Sequence, residues 1–251
     1  MTKHFLRELE QLKRDVLVMG GLAETAVARA IHAFQDRRAE MARGVIESDT
    51  EINALELRIE EEVLKILSLY GPAAKDLRFV VGVFKITNDL ERVGDLAVNV
   101  AERALRRDGK EDEEGLAELG AMAERVREML NATLDAFVTQ NRKRAEGVLA
   151  MDDGVDELLR ATYDQQIRLN ASGKADFEAT LRILSTGKHL ERIADHCTNI
   201  AEDVIYMVTG EVVKHQRGRR PRGRSEVDGE ARLEDGDLAG RGAVDVGEHD
   251  V

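Results

Sequence analysis

The chain has no tryptophan, one cysteine and two prolines in 251 residues, and only 4% of it is aromatic. Cys197 has no partner for an intrachain disulfide, which excludes a disulfide-stapled scaffold and points to a reducing, cytoplasmic compartment. Only Pro72 precedes residue 210, so long helices can run without a break. No apolar run approaches the roughly 20 residues that a membrane span needs. The opening MTKHFLRELEQLKRD is charged throughout and holds no signal-type apolar core, so a soluble protein is expected. The chain also lacks a P-loop, a glycine-rich nucleotide turn, an H-E-x-x-H pair and a Ser/His/Asp arrangement. No enzyme chemistry is legible in it.

What is present is charge and apolar periodicity. The chain is 34% charged, with a formal net charge of −12, and 43% hydrophobic, enough for a sizeable core. That balance argues against general nucleic-acid binding and favours cations or basic partners. Phe5, Leu9, Leu12, Val16, Met19 and Ala23 recur every three or four residues, one face of a helix. The same reading gives an all-α fold of six long helices, at about 4–37, 40–69, 75–107, 114–140, 143–170 and 175–208. YGPAAKD at 70–76, DGKEDEEG at 108–115 and NASGKAD at 170–176 are the breaks.

The sequence repeats. NDLERVGDLAVNVAE at 88–102 and KHLERIADHCTNIAE at 188–202 share Leu, Glu-Arg, Asp, Asn and Ala-Glu in register, 100 positions apart. VIESDTEINALE at 45–56 likewise matches VLAMDDGVDELL at 148–159, at an offset of 103. Residues 1–110 and 111–210 therefore read as duplicated three-helix bundles. Residues 211–251 hold a basic run and then an acidic, glycine-rich run, with too little apolar surface to offset ordering entropy, and are expected to be disordered. The basic run at 217–224 suits nucleic acid or anionic lipid less well than plain solvation, because the acids after it partly neutralise it.

With about 100° per residue, Glu91, Asp95, Asn99 and Glu102 share a stripe about 80° wide. Leu90, Val93, Ala97, Val100 and Ala101 occupy another face. Glu191, Asp195, Asn199 and Glu202 repeat the plan. Like charges at i, i+4 cost a helix roughly 0.2–0.5 kcal/mol each, and Arg92 and Arg192 lie off the stripe. Asp49 and Asn53, then Asp152 and Asp156, add a second i, i+4 pair of oxygen donors in each half. Oxygen-only donors favour hard cations such as magnesium, calcium, manganese or iron. A solvated acidic face is the alternative reading, and the residues alone leave both open.

LERVGDLAVNVAE and LERIADHCTNIAE each close a three-helix repeat. With FLRELEQLKRDVLVMGGLAETAV, AKDLR and DVIYMVTGEVVKH, they give the chain from about Phe5 to His215 a strong resemblance to the PhoU family of phosphate-transport regulators. The resemblance implies two pseudo-twofold-related three-helix bundles with surface metal sites. It places metal on Asp49, Asn53, Glu91 and Asp95, and on Asp152, Asp156, Glu191 and Asp195, with iron, manganese, magnesium or zinc as the ion. It also implies a non-enzymatic homodimer that represses the phosphate-starvation response. In that role it links a phosphate ABC transporter ATPase to a phosphate-sensing histidine kinase and meets the membrane only through them. An accessory protein of an inorganic phosphate permease is the runner-up. A ferritin-like carboxylate metal protein is disfavoured because neither stripe has Glu-x-x-His. Asn53 stands where the second half has Asp156, so the first site is expected to carry one less charge and to hold metal more weakly. His196 reads as a helix-contact residue and Cys197 as core.

Overall fold

The computed structural model describes residues 3–106, 116–173 and 176–213, and these form six helices. They are α1 (Lys3–Asp36), α2 (Ala39–Tyr70), α3 (Ala74–Leu105), α4 (Leu116–Thr139), α5 (Arg142–Ala171) and α6 (Phe177–Thr209). The charged linker at 108–115 and the expected disordered tail beyond Val213 lie outside the described residues. Residues 211–213, assigned above to the tail, continue the body. Glu211 pairs with Arg142 at 3.1 Å, and Val213 packs against the core.

Each half is a three-helix bundle, α1–α2–α3 and α4–α5–α6, and the halves meet through α1 with α4 and α3 with α6. All six helices belong to one compact unit, so the two bundles share a core rather than standing apart. The duplication reaches backbone detail. Arg37 and Gln140, 103 positions apart, both take the left-handed conformation, at φ 56° and 45°. The next amide in each turn then reaches back to a helix carbonyl, Arg38 to Ala33 at 3.0 Å and Asn141 to Ala136 at 3.1 Å. Those bonds satisfy carbonyls that a helix end leaves open. Gly71 and Gly210 end α2 and α6 at φ 49° and 78°, where glycine carries no steric cost.

The apolar face read on α1 is buried but for Leu9, which is partly so. Leu12, Val16, Met19, Ala23, Val27 and Phe34 of α1 lie in the core, as do Met122, Val126, Leu130 and Phe137 of α4. Phe137 stacks on Phe79 across the halves, with ring centroids 6.3 Å apart. Each such large side chain contributes about 1.5–3 kcal/mol by leaving water. One window of α1 is, by length and composition, apolar enough to cross a membrane, contrary to the sequence expectation. Half of that window is buried in the bundle, as suits a central helix of this core.

The seam between α3 and α6 is polar. Lys85 Nζ meets Asp203 Oδ1 at 2.6 Å, and the Asp203 side chain is almost wholly buried. Asp89 Oδ1 lies 2.7 Å from His196 Nδ1 and accepts from Asn199 Nδ2 at 3.3 Å. His196 is thus a helix-contact residue, as expected. Cys197 is fully buried, and burial pushes its thiol up to about 12, which leaves it a core residue without thiolate chemistry.

Candidate functional site

The acidic stripes lie where α2 packs on α3 and where α5 packs on α6. Ile52, buried on α2, comes so close to α3 that a Cβ at Gly94 would stand 3.0 Å from its Cδ1 and 3.2 Å from Asp49 Oδ1. That approach presses Asp49 against the α3 backbone beside Asp95. Asp49 Oδ2 accepts from Asn53 Nδ2 at 2.9 Å, while Asp49 Oδ1 and Asn53 Oδ1 are buried without a donor. Burial raises the Asp49 carboxyl above its ordinary value, and the Asp95 charge adds to the rise against the Asn53 hydrogen bond. Glu91 is raised too, first by burial and then by Asp95, with smaller contributions from Glu56 and Asp49.

Glu56 is a member of this cluster that the sequence reading missed. Burial is the first cause of its raised carboxyl, and Asp95 and Glu60 add to it while Arg92 opposes. It lies at i+3 from Asn53, on the face that carries Asp49, and Leu159 occupies the matching position in the second half. The first half therefore holds Asp49, Glu56, Glu91 and Asp95, and the second Asp152, Asp156, Glu191 and Asp195. The expected deficit of one charge at Asn53 is made up by Glu56, so weaker binding in the first half no longer follows from charge.

In the second half three of the predicted carboxylates, Glu191, Asp152 and Asp156, act on the fourth, Asp195. Asp195 keeps an exposed edge, yet its carboxyl is pushed up to about 6. Partial withdrawal from water between α5 and α6 is the largest cause. Glu191, Asp152 and Asp156 add to it, and Lys188 opposes. Lys188 Nζ holds Glu191 Oε1 at 2.6 Å, leaving Glu191 Oε2 buried with no donor.

Two expectations change here. Arg92, placed off the stripe by helical geometry, nevertheless reaches both acids, Asp95 at 3.0 Å and Glu91 at 3.4 Å. Its long stem spans the one turn to Asp95, and Lys188 spans the same i, i+3 step to Glu191. The lower half of each stripe leaves the acidic site. Asn99 Nδ2 donates to the Asp95 carbonyl at 2.9 Å, and Asn199 turns into the α3–α6 seam toward Asp89.

Among the described residues, no three His, Cys, Asp or Glu side chains are arranged as a ready metal cage. The donor chemistry nonetheless suits a hard cation. Asp49 Oδ1, Asn53 Oδ1 and Glu191 Oε2 are buried oxygens without donors, set beside acids among which Asp49, Glu91 and Asp195 are raised by burial and by neighbouring carboxylates. Arg92 and Lys188 stand in as counter-ions, and each would have to yield its carboxylate oxygen to an incoming ion.

The chain matches the PhoU domain twice, over residues 16–104 and 119–204. It is 36% identical over 210 residues to the phosphate-specific transport system accessory protein PhoU homolog of Aquifex aeolicus, covering 84% of this chain and 95% of that protein. The Pseudomonas aeruginosa homolog of the same description is 36% identical over 216 residues, covering 86% and 89%. The crystal structure of PhoU from Pseudomonas aeruginosa superposes with a TM-score of 0.78 at 36% identity, over 82% of this chain and 100% of that one. The phosphate transport system regulatory protein PhoU from Streptococcus pneumoniae gives 0.77 at 30% identity, over 83% and 99%.

An acid raised by folding opposes the fold once it ionises. Between the ordinary value of 3.8 and about 6, folded Asp195 holds more proton than unfolded Asp195, so stability falls as pH rises through that window. Asp195→Asn removes the ionisation. Allowing for the exposed edge, it should raise the melting temperature by about 1–3 °C at pH 7.5 and leave it unchanged at pH 4. Scanning calorimetry at the two pH values checks this, and an equal shift at both contradicts it.

Proposed function

The chain belongs to the PhoU family, and on that premise we propose that it is a regulatory accessory protein of a phosphate-specific transport system. The observation that carries this reading is the double PhoU domain match in register with the duplicated LER-x-x-D helices. In this reading the protein is a cytoplasmic homodimer. It represses the phosphate-starvation response by coupling the ATPase of a phosphate ABC transporter to a phosphate-sensing histidine kinase. A six-helix body with a polar, charged surface on both halves suits an adaptor that touches two partners at once.

We further infer that each half holds a divalent cation or iron. Asp49, Asn53, Glu56, Glu91 and Asp95 would hold it in the first half, and Asp152, Asp156, Glu191 and Asp195 in the second. When bound, the cation supplies positive charge where four carboxylates repel one another. The protein's own groups set the terms of entry. The orphaned oxygens of Asp49, Asn53 and Glu191 offer lone pairs with no donor to displace, whereas Arg92 and Lys188 must release theirs.

Deleting the gene should switch phosphate-starvation genes on in phosphate-rich medium, and a wild-type copy should restore repression. Normal repression in a strain with neither this gene nor a second copy contradicts the regulatory reading. For the metal, manganese, magnesium, zinc or iron at 100 times its dissociation constant should stabilise the fold by about 2.7 kcal/mol, and Asp195→Asn should reduce that gain. Identical melting curves with and without each ion contradict it.

A further inference from the structure

The α3–α6 seam carries a second charged cluster, on the side of α6 away from Glu191. The pseudo-twofold axis pairs Lys85 with Ser185, Asp89 with His189, and Asp203 with Arg103, each 100 positions apart. On one side of the axis the charges are matched, with Lys85 Nζ on Asp203 Oδ1 at 2.6 Å. On the other side the same seats hold Ser185 and Arg103, a cation with a hydroxyl where its anion should be. Arg103 is half-buried. Its Nε donates to Ser185 Oγ at 3.2 Å and its Nη1 to the Asn99 carbonyl at 2.8 Å, and among the described residues no carboxylate pairs with it. His189 is half-buried too, and both of its ring nitrogens are buried without a hydrogen-bond partner. The charges of Arg103 and Arg192 both reach its ring, and those of Arg106 and Glu102 both reach Arg103.

A guanidinium partly withdrawn from water without an anion is costly, and a buried polar nitrogen without a partner is a further cost. Both costs fall at one place, and an anion seated between Arg103, Arg192 and His189 relieves both. Among the described residues, the charges of Arg103 and Arg192 meet at the His189 ring and that of Arg106 reaches Arg103, with Glu102 as the carboxylate that opposes them at Arg103, a gathering of positive charge that favours an anion. The donors come from two helices and from three chemical types, which suits a tetrahedral oxyanion better than a flat carboxylate. We propose that Arg103, Ser185, His189 and Arg192 form a binding site for inorganic phosphate, with Arg103 as its principal ligand. The site stands on the seam's own geometry, so its failure and that of the regulatory reading are separable: the gene-deletion test can succeed whether or not phosphate binds here.

The test is isothermal calorimetry of the full chain with sodium phosphate near pH 7.5, at constant ionic strength set with chloride, alongside resonances of the His189 ring. Phosphate should bind saturably and shift those resonances. Arg103→Gln should weaken binding at least about tenfold, the loss expected for one charge-assisted contact, while Arg160→Gln on the exposed face of α5 should not. Without phosphate, Arg103→Gln should melt no lower than wild type, because it removes an unmatched charge. A purely structural Arg103 predicts a lower melting temperature and no phosphate heat. Absence of saturable binding, or equal affinity in Arg103→Gln, overturns the proposal.

Discussion

Mutual repulsion among carboxylates, enforced by helix packing, is the constraint on which the rest of this structure turns. Apolar faces bring α2 against α3 and α5 against α6, and the acids on the borders of those faces have no choice but to meet. Ile52 and Gly94 show the mechanism at one point: the absent side chain at Gly94 lets α2 close in and carries Asp49 with it. The consequence is electrostatic. Asp49, Glu56, Glu91 and Asp195 are all raised, with burial the first cause at each and another acid always contributing. Core packing holds together what charge alone would separate, and a cation is the natural complement.

Duplication makes the two halves comparable, and their differences are informative. The acid count is kept by different means, Asp49 and Glu56 on α2 against Asp152 and Asp156 on α5, so charge is maintained while its placement moves by about one turn. Across the α3–α6 seam the reverse holds. Position is kept and charge is not, with Lys85 and Asp203 matched on one side and Ser185 and Arg103 on the other. Where one side of the seam seats a lysine on a buried aspartate, the other seats a hydroxyl on a half-buried arginine.

Much of this was legible in the sequence because the signals were local and periodic. The six helices and the buried face of α1 follow from spacing, the breaks between helices from glycine, proline and charge, and the observed ends lie within about two residues of those expected. Asp49, Asp95, Asp152 and Asp195 were visible because the repeat named them twice. Glu56 was not, since its counterpart is Leu159 and a search for repetition passes over it. Helical angles placed Arg92 off the acidic stripe by its Cα, but a long stem lets the guanidinium reach Asp95 and Glu91. The seam of Asp89, His196 and Asn199 needed the relative placement of α3 and α6, which no single helix encodes.

The central claim is that these crowded acids await a cation, and proton release on binding tests it most directly. Asp195, pushed up to about 6, is substantially protonated near that pH and must give up its proton to become a ligand. Titrating manganese into the apo protein by calorimetry, at about pH 6 in two buffers of different ionisation enthalpy, counts the protons expelled. Measurable release is expected at that pH, falling away as the pH is raised by about two units, and lost in Asp195→Asn. Binding with no pH-dependent release, or no binding heat at all, would contradict it.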